Sequence, residues 1–363
     1  MTVKHYKILL TGGGTGGSVT PLLAVAEELK NNSVPGEYNF LWIGSKKGVE
    51  SEMVKKAGIQ FRHIHNGKFR RYFDLKNLID PLFILLGFFE ALWLMIKWKP
   101  DLIMNAGSFV SVPVIWAGWL LRKPIITHQM DIRPGLANKL MSPFSDVVTV
   151  TFEKSLADYG AKARLVGNPI RKELMVPVKK IKNTLGLKNN LPLVLIVGGG
   201  TGAEAINQVV EKSVNQLAKF CQIIHITGKG KGLKNLRHNN YKTFEFLNAD
   251  QIAEALIMAD LVISRCGIGF LSELAYLAKP SLLIPMPGTH QEENAAIFKK
   301  AHAAIVIEQA DLKEQLLVMV TKSILEDKAL REELSKNIRK IMKSDAKKEI
   351  VKIIGKILNH KPF

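Results

Sequence analysis

Two stretches of this sequence share one pattern: residues 6–17 read YKILLTGGGTGG, and residues 193–202 read LVLIVGGGTG. Each is an apolar run followed by a glycine-rich turn and then by a segment with helical periodicity. Glycine lets the backbone turn sharply and come close to a ligand, and a helix start presents unpaired amides and a positive dipole end. A diphosphate fits that environment. The repetition in the two halves predicts two nucleotide-type folds in one chain.

Short apolar segments alternate with helical segments through both halves of the chain. The predicted strands are Lys7–Leu10, Phe40–Ile43, Leu102–Asn105, Ile125–Thr127 and Val147–Thr151, and then Leu193–Val197, Ile223–Thr227, Thr243–Phe246, Leu261–Ser264 and Ser281–Ile284. Alternating β and α units with right-handed crossovers give a doubly wound parallel sheet. We therefore predict an α/β protein of two Rossmann-like, doubly wound parallel-sheet domains facing across a cleft, with ligands at the carboxyl ends of the strands.

The length of 363 residues suits two domains. The turn-forming sequence GNPIR at Gly167–Arg171 predicts the hinge between them. We expect an N-terminal domain at residues 1–167, a C-terminal domain at residues 168–340, and a C-terminal helix within residues 341–363 that packs back on the N-terminal domain. The first strand begins so close to Met1 that no signal peptide fits before it, which favours a cytoplasmic protein.

Charge and cysteine usage narrow the class of protein. The formal net charge is +19, which fits nucleic acid, an anionic membrane or merely solubility. Cys221 and Cys266 lack the spacing of a disulfide framework or a zinc site, so we expect no metal and no other cofactor. Nucleic-acid binding is disfavoured, because the basic residues flank aliphatic segments and do not interleave with a stacking surface.

One segment of the first half is almost continuously apolar. Residues 82–96 read LFILLGFFEALWLMI, and the basic residues beside them are Lys68, Arg70, Arg71, Lys76, Lys97 and Lys99. The run is too short and too interrupted for a confident membrane span. It is either a packed core helix or a helix whose outer face dips into an anionic membrane surface. The scarcity of polar side chains, together with Trp93 and Trp98, favours the membrane surface.

Eight motifs occur in a fixed order along the chain: Gly13–Gly17 with Pro21 and Ala24–Ala26, Gly107–Pro113, Thr127–Gln129, Pro134–Asn138, Gly167–Arg171, Gly198–Asn207, Arg265–Glu273, and His290-Gln291 with Asn294-Ala295. In this order they resemble the MurG family of peptidoglycan glycosyltransferases, glycosyltransferase family 28, over nearly the whole chain. The resemblance implies the GT-B architecture. It also implies inverting transfer of N-acetylglucosamine from UDP-GlcNAc to the undecaprenyl-diphosphate-linked N-acetylmuramoyl-pentapeptide, by a peripheral enzyme at the cytoplasmic face of the cell membrane.

The same resemblance assigns the donor to the second half. It implies that Arg171 neutralises the UDP diphosphate and that Glu273 accepts hydrogen bonds from the ribose hydroxyls, a role that suits a carboxylate. The remaining donor residues are the turn positions Gly199, Gly200, Thr201 and Gly202, the uracil and nucleotide contacts Leu247 and Ile268, and the sugar contacts His290 and Gln291. The acceptor diphosphate is expected in the first half, at Gly14, Thr15, Gly16 and Gly17 and at Gly107 and Ser108.

The candidate catalytic residues are Ser18, His128 and Asp131. Ser18 stands where the family pattern ends the first turn with histidine, and serine alone is a poor base near neutral pH. The usual His-Glu-Gln-Asn stretch is His128-Gln129-Met130-Asp131 here. A carboxylate can remove a proton when burial raises its pKa, so we expect His128 or Asp131 to assist deprotonation of the acceptor hydroxyl.

Two alternatives stay open at this point. One is another GT-B sugar-nucleotide enzyme, with a different acceptor or with UDP-GlcNAc 2-epimerase activity. Another is a catalytically impaired scaffold that binds the UDP-sugar, which the presence of Ser18 keeps in view. A dinucleotide-dependent oxidoreductase is disfavoured, because the second predicted strand does not end in an acidic residue.

Overall fold

A computed structural model describes residues 4–31, 36–46, 48, 50–67, 76–177, 183–188, 190–199, 202–232 and 238–359, with the backbone alone for residues 76–79. The chain forms two compact units. The first takes Met1–Ile170 and Lys343–Phe363, and the second takes Arg171–Met342. These boundaries lie three residues and two residues beyond the expected positions at 167 and 340.

The first unit is built on a parallel sheet of seven strands. Their order is β3-β2-β1-β4-β5-β6-β7, so the chain starts in the middle of the sheet and winds outward in both directions. The strands are β1 His5–Thr11, β2 Glu37–Ser45, β3 Gln60–Ile64, β4 Leu102–Asn105, β5 Ile125–Gln129, β6 Val147–Val150 and β7 Ala163–Leu165. The helices are α1 Thr20–Lys30, α2 Glu50–Lys56, α3 Lys76–Trp98, α4 Ser111–Leu120, α5 Leu136–Met141 and, from the chain's end, α12 Ala346–Leu358.

The second unit repeats this plan with six parallel strands in the order β10-β9-β8-β11-β12-β13. The strands are β8 Leu193–Val197, β9 Gln222–Ile226, β10 Tyr241–Phe244, β11 Leu261–Ser264, β12 Ser281–Leu283 and β13 Ile305–Val306. The helices are α6 Glu204–Leu217, α7 Ala249–Met258, α8 Ile268–Leu277, α9 His290–Lys300, α10 Glu314–Glu326 and α11 Lys328–Ile338. Because the strand order reverses beside β1 and beside β8, both units have the Rossmann-like topology that the sequence predicted.

Every predicted strand is present, and three strands were not predicted. The missed strands are β3, β7 and β13, each at or near a sheet edge. Three of the five β3 residues are exposed, while β7 and β13 have three and two residues. Short or exposed edge strands lack the continuous apolar run that marks a central parallel strand.

The last helix of the chain packs in the first unit. Ile350 and Ile354 of α12 are fully buried in the cluster that contains Leu22 and Val25 of α1. The Lys347 ammonium lies 3.7 Å from the Glu28 carboxylate of α1, and both side chains are mostly buried. Loss of α12 would therefore expose the apolar face of α1.

Helix α3 buries only one stripe of its surface. Gly87, Ala91 and Met95 face the unit, and α3 packs mainly against α4. The opposite face is exposed and apolar; its large side chains are Leu82, Leu85, Leu86, Phe89, Trp93 and Ile96. The segment Asp80–Trp98 is long and apolar enough to cross a membrane, by length and composition alone. Lys68, Arg70, Arg71 and the Lys76 side chain lie outside the described residues, whereas Lys97 and Lys99 are exposed at the end of the helix.

Candidate active site

The glycine-rich turn after β1 lies at the carboxyl edge of the first sheet. Gly12 and Gly13 are buried, but Gly14 and Thr15 are exposed and Gly16 and Gly17 are half-buried. Gly14 has a φ of +82°, and no atom lies within 4 Å of the position that a Cβ would take there. The outer part of the turn is therefore open to a ligand, and the binding of a diphosphate there stays a prediction.

Ser18 closes this turn from the inside. Its side chain is buried, and its hydroxyl lies 3.1 Å from the Gly13 carbonyl and 3.3 Å from the Thr15 carbonyl. Its one proton is therefore donated within the turn. The geometry gives Ser18 a bracing function, and a role in catalysis stays a prediction.

A second open turn follows β4, the neighbour of β1 in the sheet. Gly107 and Ser108 have φ values of +85° and +92°. Such a φ is strained for serine and costs about 1 kcal/mol or more, and strain of this kind is concentrated at ligand sites. The Gly107 amide donates to Asn105 Oδ1 at 3.2 Å, and the Ser111 hydroxyl donates to the Gly107 carbonyl at 3.0 Å.

The two turns of the first unit are connected. Thr11, the last residue of β1, donates from its hydroxyl to the Ser111 hydroxyl at 3.3 Å. Since Ser111 also holds Gly107, the two glycine turns are held in a fixed arrangement at one edge of the sheet. The residues expected to bind the acceptor diphosphate are thus brought together.

His128 is a fully buried residue of β5. Nδ1 pairs with the Thr149 hydroxyl at 2.9 Å, and Nε2 pairs with Asn168 Oδ1 at 3.0 Å. Burial lowers the pKa of His128 to about 4, against the opposing effect of these two hydrogen bonds. Near neutral pH the ring is uncharged and both nitrogens are engaged, an arrangement that fits a structural histidine.

Asp131 lies in the loop after β5 and is partly exposed. The buried Gln129 side chain fixes this loop, because its Nε2 donates to the carbonyls of Asp131 at 2.6 Å and Arg133 at 3.0 Å. Gln129 Oε1 in turn accepts from Asn138 and from the Tyr159 hydroxyl. Gln129 was not among the predicted site residues, and it stands where the family pattern has glutamate.

In the second unit, Arg171 and Glu273 form an ion pair. Arg171 Nε donates to Glu273 Oε1 at 2.6 Å, and the glutamate side chain is 3% exposed against 29% for the arginine. Burial raises the pKa of Glu273, and the Arg171 guanidinium opposes that rise. The other carboxylate oxygen, Oε2, is buried and accepts no hydrogen bond from any described residue. A buried acceptor of this kind can take a hydrogen bond from a ligand.

Gln291 links two loops beside the start of α8. Its Oε1 accepts from the amides of Cys266 at 3.1 Å and Met286 at 3.2 Å. Asn294 Nδ2 also donates to the Cys266 carbonyl at 3.1 Å. His290, the first residue of α9, is exposed. The loop that leads into α8 is therefore held by α9.

The turn after β8 is described in part, because Gly200 and Thr201 lie outside the described residues. Gly199 and Gly202 have φ values of +89° and +72°. A Cβ at Gly202 would overlap the Thr227 carbonyl, so glycine is required there by a close backbone approach. The space beside Gly199 is open.

Leu247 and Ile268 are both buried, as core residues would be. Phe246, the residue before Leu247, was not among the predicted site residues. Phe246, predicted as the end of a strand, lies beyond β10, and its ring is 75% exposed. An exposed ring that adjoins Leu247 in the chain offers a stacking surface.

Another missed residue is Arg265, which follows β11. Its guanidinium is buried and donates to the carbonyls of Ile284 at 3.1 Å and Pro285 at 2.9 Å, while burial lowers its pKa. These contacts hold the segment that contains Met286.

Both cysteines are buried and free, and the described residues contain no group of three or more His, Cys, Asp or Glu that could hold a metal ion.

The chain matches two family profiles and close relatives. Residues 8–150 match the glycosyltransferase family 28 N-terminal domain, and residues 193–352 match the glycosyltransferase family 28 C-terminal domain. The UDP-N-acetylglucosamine--N-acetylmuramyl-(pentapeptide) pyrophosphoryl-undecaprenol N-acetylglucosamine transferase of Clostridium botulinum is 40% identical over 357 residues, which are 96% of this chain and 99% of that one. The chain belongs to glycosyltransferase family 28.

Solved structures share the family 28 fold at lower identity. MurG of Acinetobacter baumannii has a TM-score of 0.73 at 24% identity, covering 97% of this chain and 99% of its own. UDP-GlcNAc 2-epimerase from Neisseria meningitidis, bound to UDP-GlcNAc, has a TM-score of 0.70 at 15% identity, covering 96% and 99%. Since both a transferase and an epimerase have this fold, the fold alone does not distinguish the two activities. The distinction comes from the sequence relation.

The boundaries of the family 28 sequence domains differ from the boundaries of the two compact units. The C-terminal profile reaches residue 352, which lies within α12, yet α12 packs in the first unit. One helix of the C-terminal sequence domain therefore stabilises the core of the N-terminal unit.

Proposed function

We propose that this protein transfers N-acetylglucosamine from UDP-GlcNAc to an undecaprenyl-diphosphate-linked N-acetylmuramoyl-pentapeptide, with inversion at the anomeric carbon, in peptidoglycan synthesis. The observation that carries the proposal is the 40% identity, over 96% of the chain, to an enzyme named for this transfer. We assign the donor to the carboxyl edge of the second sheet and the acceptor to the carboxyl edge of the first sheet.

The donor occupies the edge of the second sheet. Glu273 Oε2 accepts from the ribose hydroxyls, and the Arg171 nitrogens not engaged by Glu273 face the diphosphate. Uracil packs between Phe246, Leu247 and Ile268. The Nε2 of Gln291 donates to the sugar hydroxyls, because its Oε1 is already taken by two backbone amides.

The acceptor occupies the edge of the first sheet. Its diphosphate is bound by amides of the open turn at Thr15–Gly17 and by the turn at Gly107 and Ser108. Backbone amides neutralise phosphate charge without a side-chain cation. The acceptor hydroxyl is then directed toward the loop after β5.

Asp131 is the base that the geometry favours for the acceptor hydroxyl. It is partly exposed in a loop held by Gln129, whereas both nitrogens of His128 are engaged in the core. We expect Asp131→Asn to lower the single-turnover rate by about 100-fold or more, the usual contribution of a general base, with UDP affinity unchanged. Rapid-quench measurement of the disaccharide lipid checks this.

Met130→Leu in the same loop is the matched control, because it keeps the carboxylate and the apolar contact. An unchanged single-turnover rate in Asp131→Asn would exclude the carboxylate as base. A His128→Gln variant with the same loss as Asp131→Asn and no loss of stability would move the role to His128.

The exposed face of α3 supports a location at an anionic membrane surface. Its large apolar side chains are exposed, and Lys97 and Lys99 follow at the helix end. Apolar insertion combined with basic residues is the composition of an interfacial helix. We infer a peripheral location at the cytoplasmic face of the cell membrane, where a lipid-linked acceptor is accessible.

The decisive experiment mixes purified protein, radiolabelled UDP-GlcNAc and a short-chain lipid-diphosphate muramoyl-pentapeptide. We expect labelled disaccharide lipid and UDP in equal amounts. UDP-GlcNAc binding without product would support the scaffold, and formation of the 2-epimer without acceptor would support an epimerase. Omission of the acceptor is the control.

A further inference from the structure

A buried carboxylate lies beneath the glycine-rich turn of the first unit. Glu50 is the first residue of α2, and its side chain is fully buried. Oε2 accepts from the Gly14 amide at 3.1 Å, while Oε1 accepts from the Ser45 amide at 2.8 Å and from the Ser45 hydroxyl. The structure describes no ion pair for Glu50. The carboxylate therefore ties the turn after β1 to the end of β2 by three hydrogen bonds.

The glycines around Glu50 make room for this carboxylate. A Cβ at Gly13 or at Gly48 would overlap the Glu50 carboxyl group, and a Cβ at Gly44 would lie 3.0 Å from its Cγ. Glycine at these positions is thus required by the protein's own side chain. In contrast, a Cβ added at Gly14 would meet no atom within 4 Å, and a Cβ added at Gly16 or Gly17 would make only ordinary van der Waals contact.

Glu50 engages one amide of the turn and leaves the next three without a hydrogen bond to its carboxylate. The Gly14 amide is already donated to Glu50, whereas the amides of Thr15, Gly16 and Gly17 are not engaged by Glu50. The Glu50 carboxyl group also fills the inner side of the turn, where a Cβ at Gly13 would overlap it. A diphosphate on this turn is therefore restricted to the Thr15–Gly17 side.

We propose that Glu50 is a positioning residue for the acceptor: it fixes the glycine-rich turn and sets the place at which the acceptor's diphosphate binds. The proposal rests on the proposed function, in which this turn receives that diphosphate. Glu50 does not touch the reacting atoms. It acts through the Gly14 amide and the conformation of the turn.

The test compares Glu50→Gln with wild type in two measurements, steady-state kinetics and direct binding of the short-chain lipid-diphosphate muramoyl-pentapeptide without donor. Glutamine keeps the shape but replaces one acceptor oxygen by an NH₂ group that cannot accept from a backbone amide. We expect the acceptor KM and Kd to rise about tenfold or more, as for a hydrogen bond to a charged group, with the KM of UDP-GlcNAc unchanged. Ser45→Ala, which removes one donor, should shift the same constants less.

Val54→Ala is the matched control, because Val54 is fully buried on the same helix α2 and belongs to the hydrophobic core of the first unit. Suppose that Val54→Ala loses as much thermal stability as Glu50→Gln and raises the acceptor KM and Kd by the same factor. Glu50 is then only structural, and the inference is wrong. The same conclusion follows if Glu50→Gln raises the KM of UDP-GlcNAc together with the acceptor KM. Wild-type protein that neither binds nor converts the acceptor refutes the proposed function itself, and the inference with it. Normal wild-type turnover with an unshifted acceptor KM in Glu50→Gln refutes the inference alone.

Discussion

Replacing Glu273 by glutamine is expected to raise the Kd for UDP and the KM for UDP-GlcNAc by about 100-fold, because each hydrogen bond to a charged acceptor contributes about 1.5 kcal/mol or more. Oε2 is buried and has no donor among the described residues, so a ribose hydroxyl has no competitor for it. Glutamine also leaves the partly buried Arg171 without its carboxylate partner. Calorimetric titration with UDP measures the loss.

A thermodynamic cycle that combines Glu273→Gln with a UDP analogue lacking the ribose hydroxyls isolates the contact between Glu273 and the ribose. Wild type should bind 2′,3′-dideoxy-UDP far more weakly than UDP, while Glu273→Gln should bind the two ligands almost equally, because the partner of the hydroxyls is then gone. Additive losses would mean that Glu273 does not contact the ribose. Glu254→Gln is the control. Glu254 is another buried carboxylate of the second unit, and its oxygens accept from the Thr184 hydroxyl and the Leu185 amide.

The second large effect is expected on membrane binding. The triple variant Leu82→Ser, Phe89→Ser and Trp93→Ser should bind anionic vesicles at least about 100-fold more weakly, since each buried apolar side chain contributes about 1.5 kcal/mol or more. These three side chains are 66%, 56% and 61% exposed. None of the three belongs to a hydrophobic core cluster of the described residues, so thermal stability and UDP affinity should stay near the wild-type level.

Vesicle flotation with phosphatidylglycerol and with phosphatidylcholine measures this effect. Met319→Ser is the matched control, because Met319 is an equally exposed apolar residue in the second unit. Lys97→Gln combined with Lys99→Gln should reduce the preference for anionic lipid, by about 1 kcal/mol for each charge. If the triple variant floats like wild type, α3 is not the membrane contact, and the exposed stripe needs another partner.

Local patterns in the sequence were sufficient for the fold. Parallel strands buried on both faces are continuous apolar runs, so β1, β4, β8 and β11 could be found without the structure. The edge strands β3, β7 and β13 could not, because they are short or exposed. The family assignment also came from ordered motifs alone, and the sequence comparisons confirm it.

The sequence by itself determined the two Rossmann-like domains, the family and the candidate residues, because these depend on local periodicity and on motif order. Only the tertiary structure decided what each glycine and each polar side chain does. It buried His128 between Thr149 and Asn168, left Glu273 Oε2 without a donor among the described residues, and exposed one face of α3. The glycine-rich turn proved to serve two purposes. Gly13 makes room for Glu50, and the outer residues stay open to a ligand. Residues distant in sequence make these contacts, so no local pattern contains them.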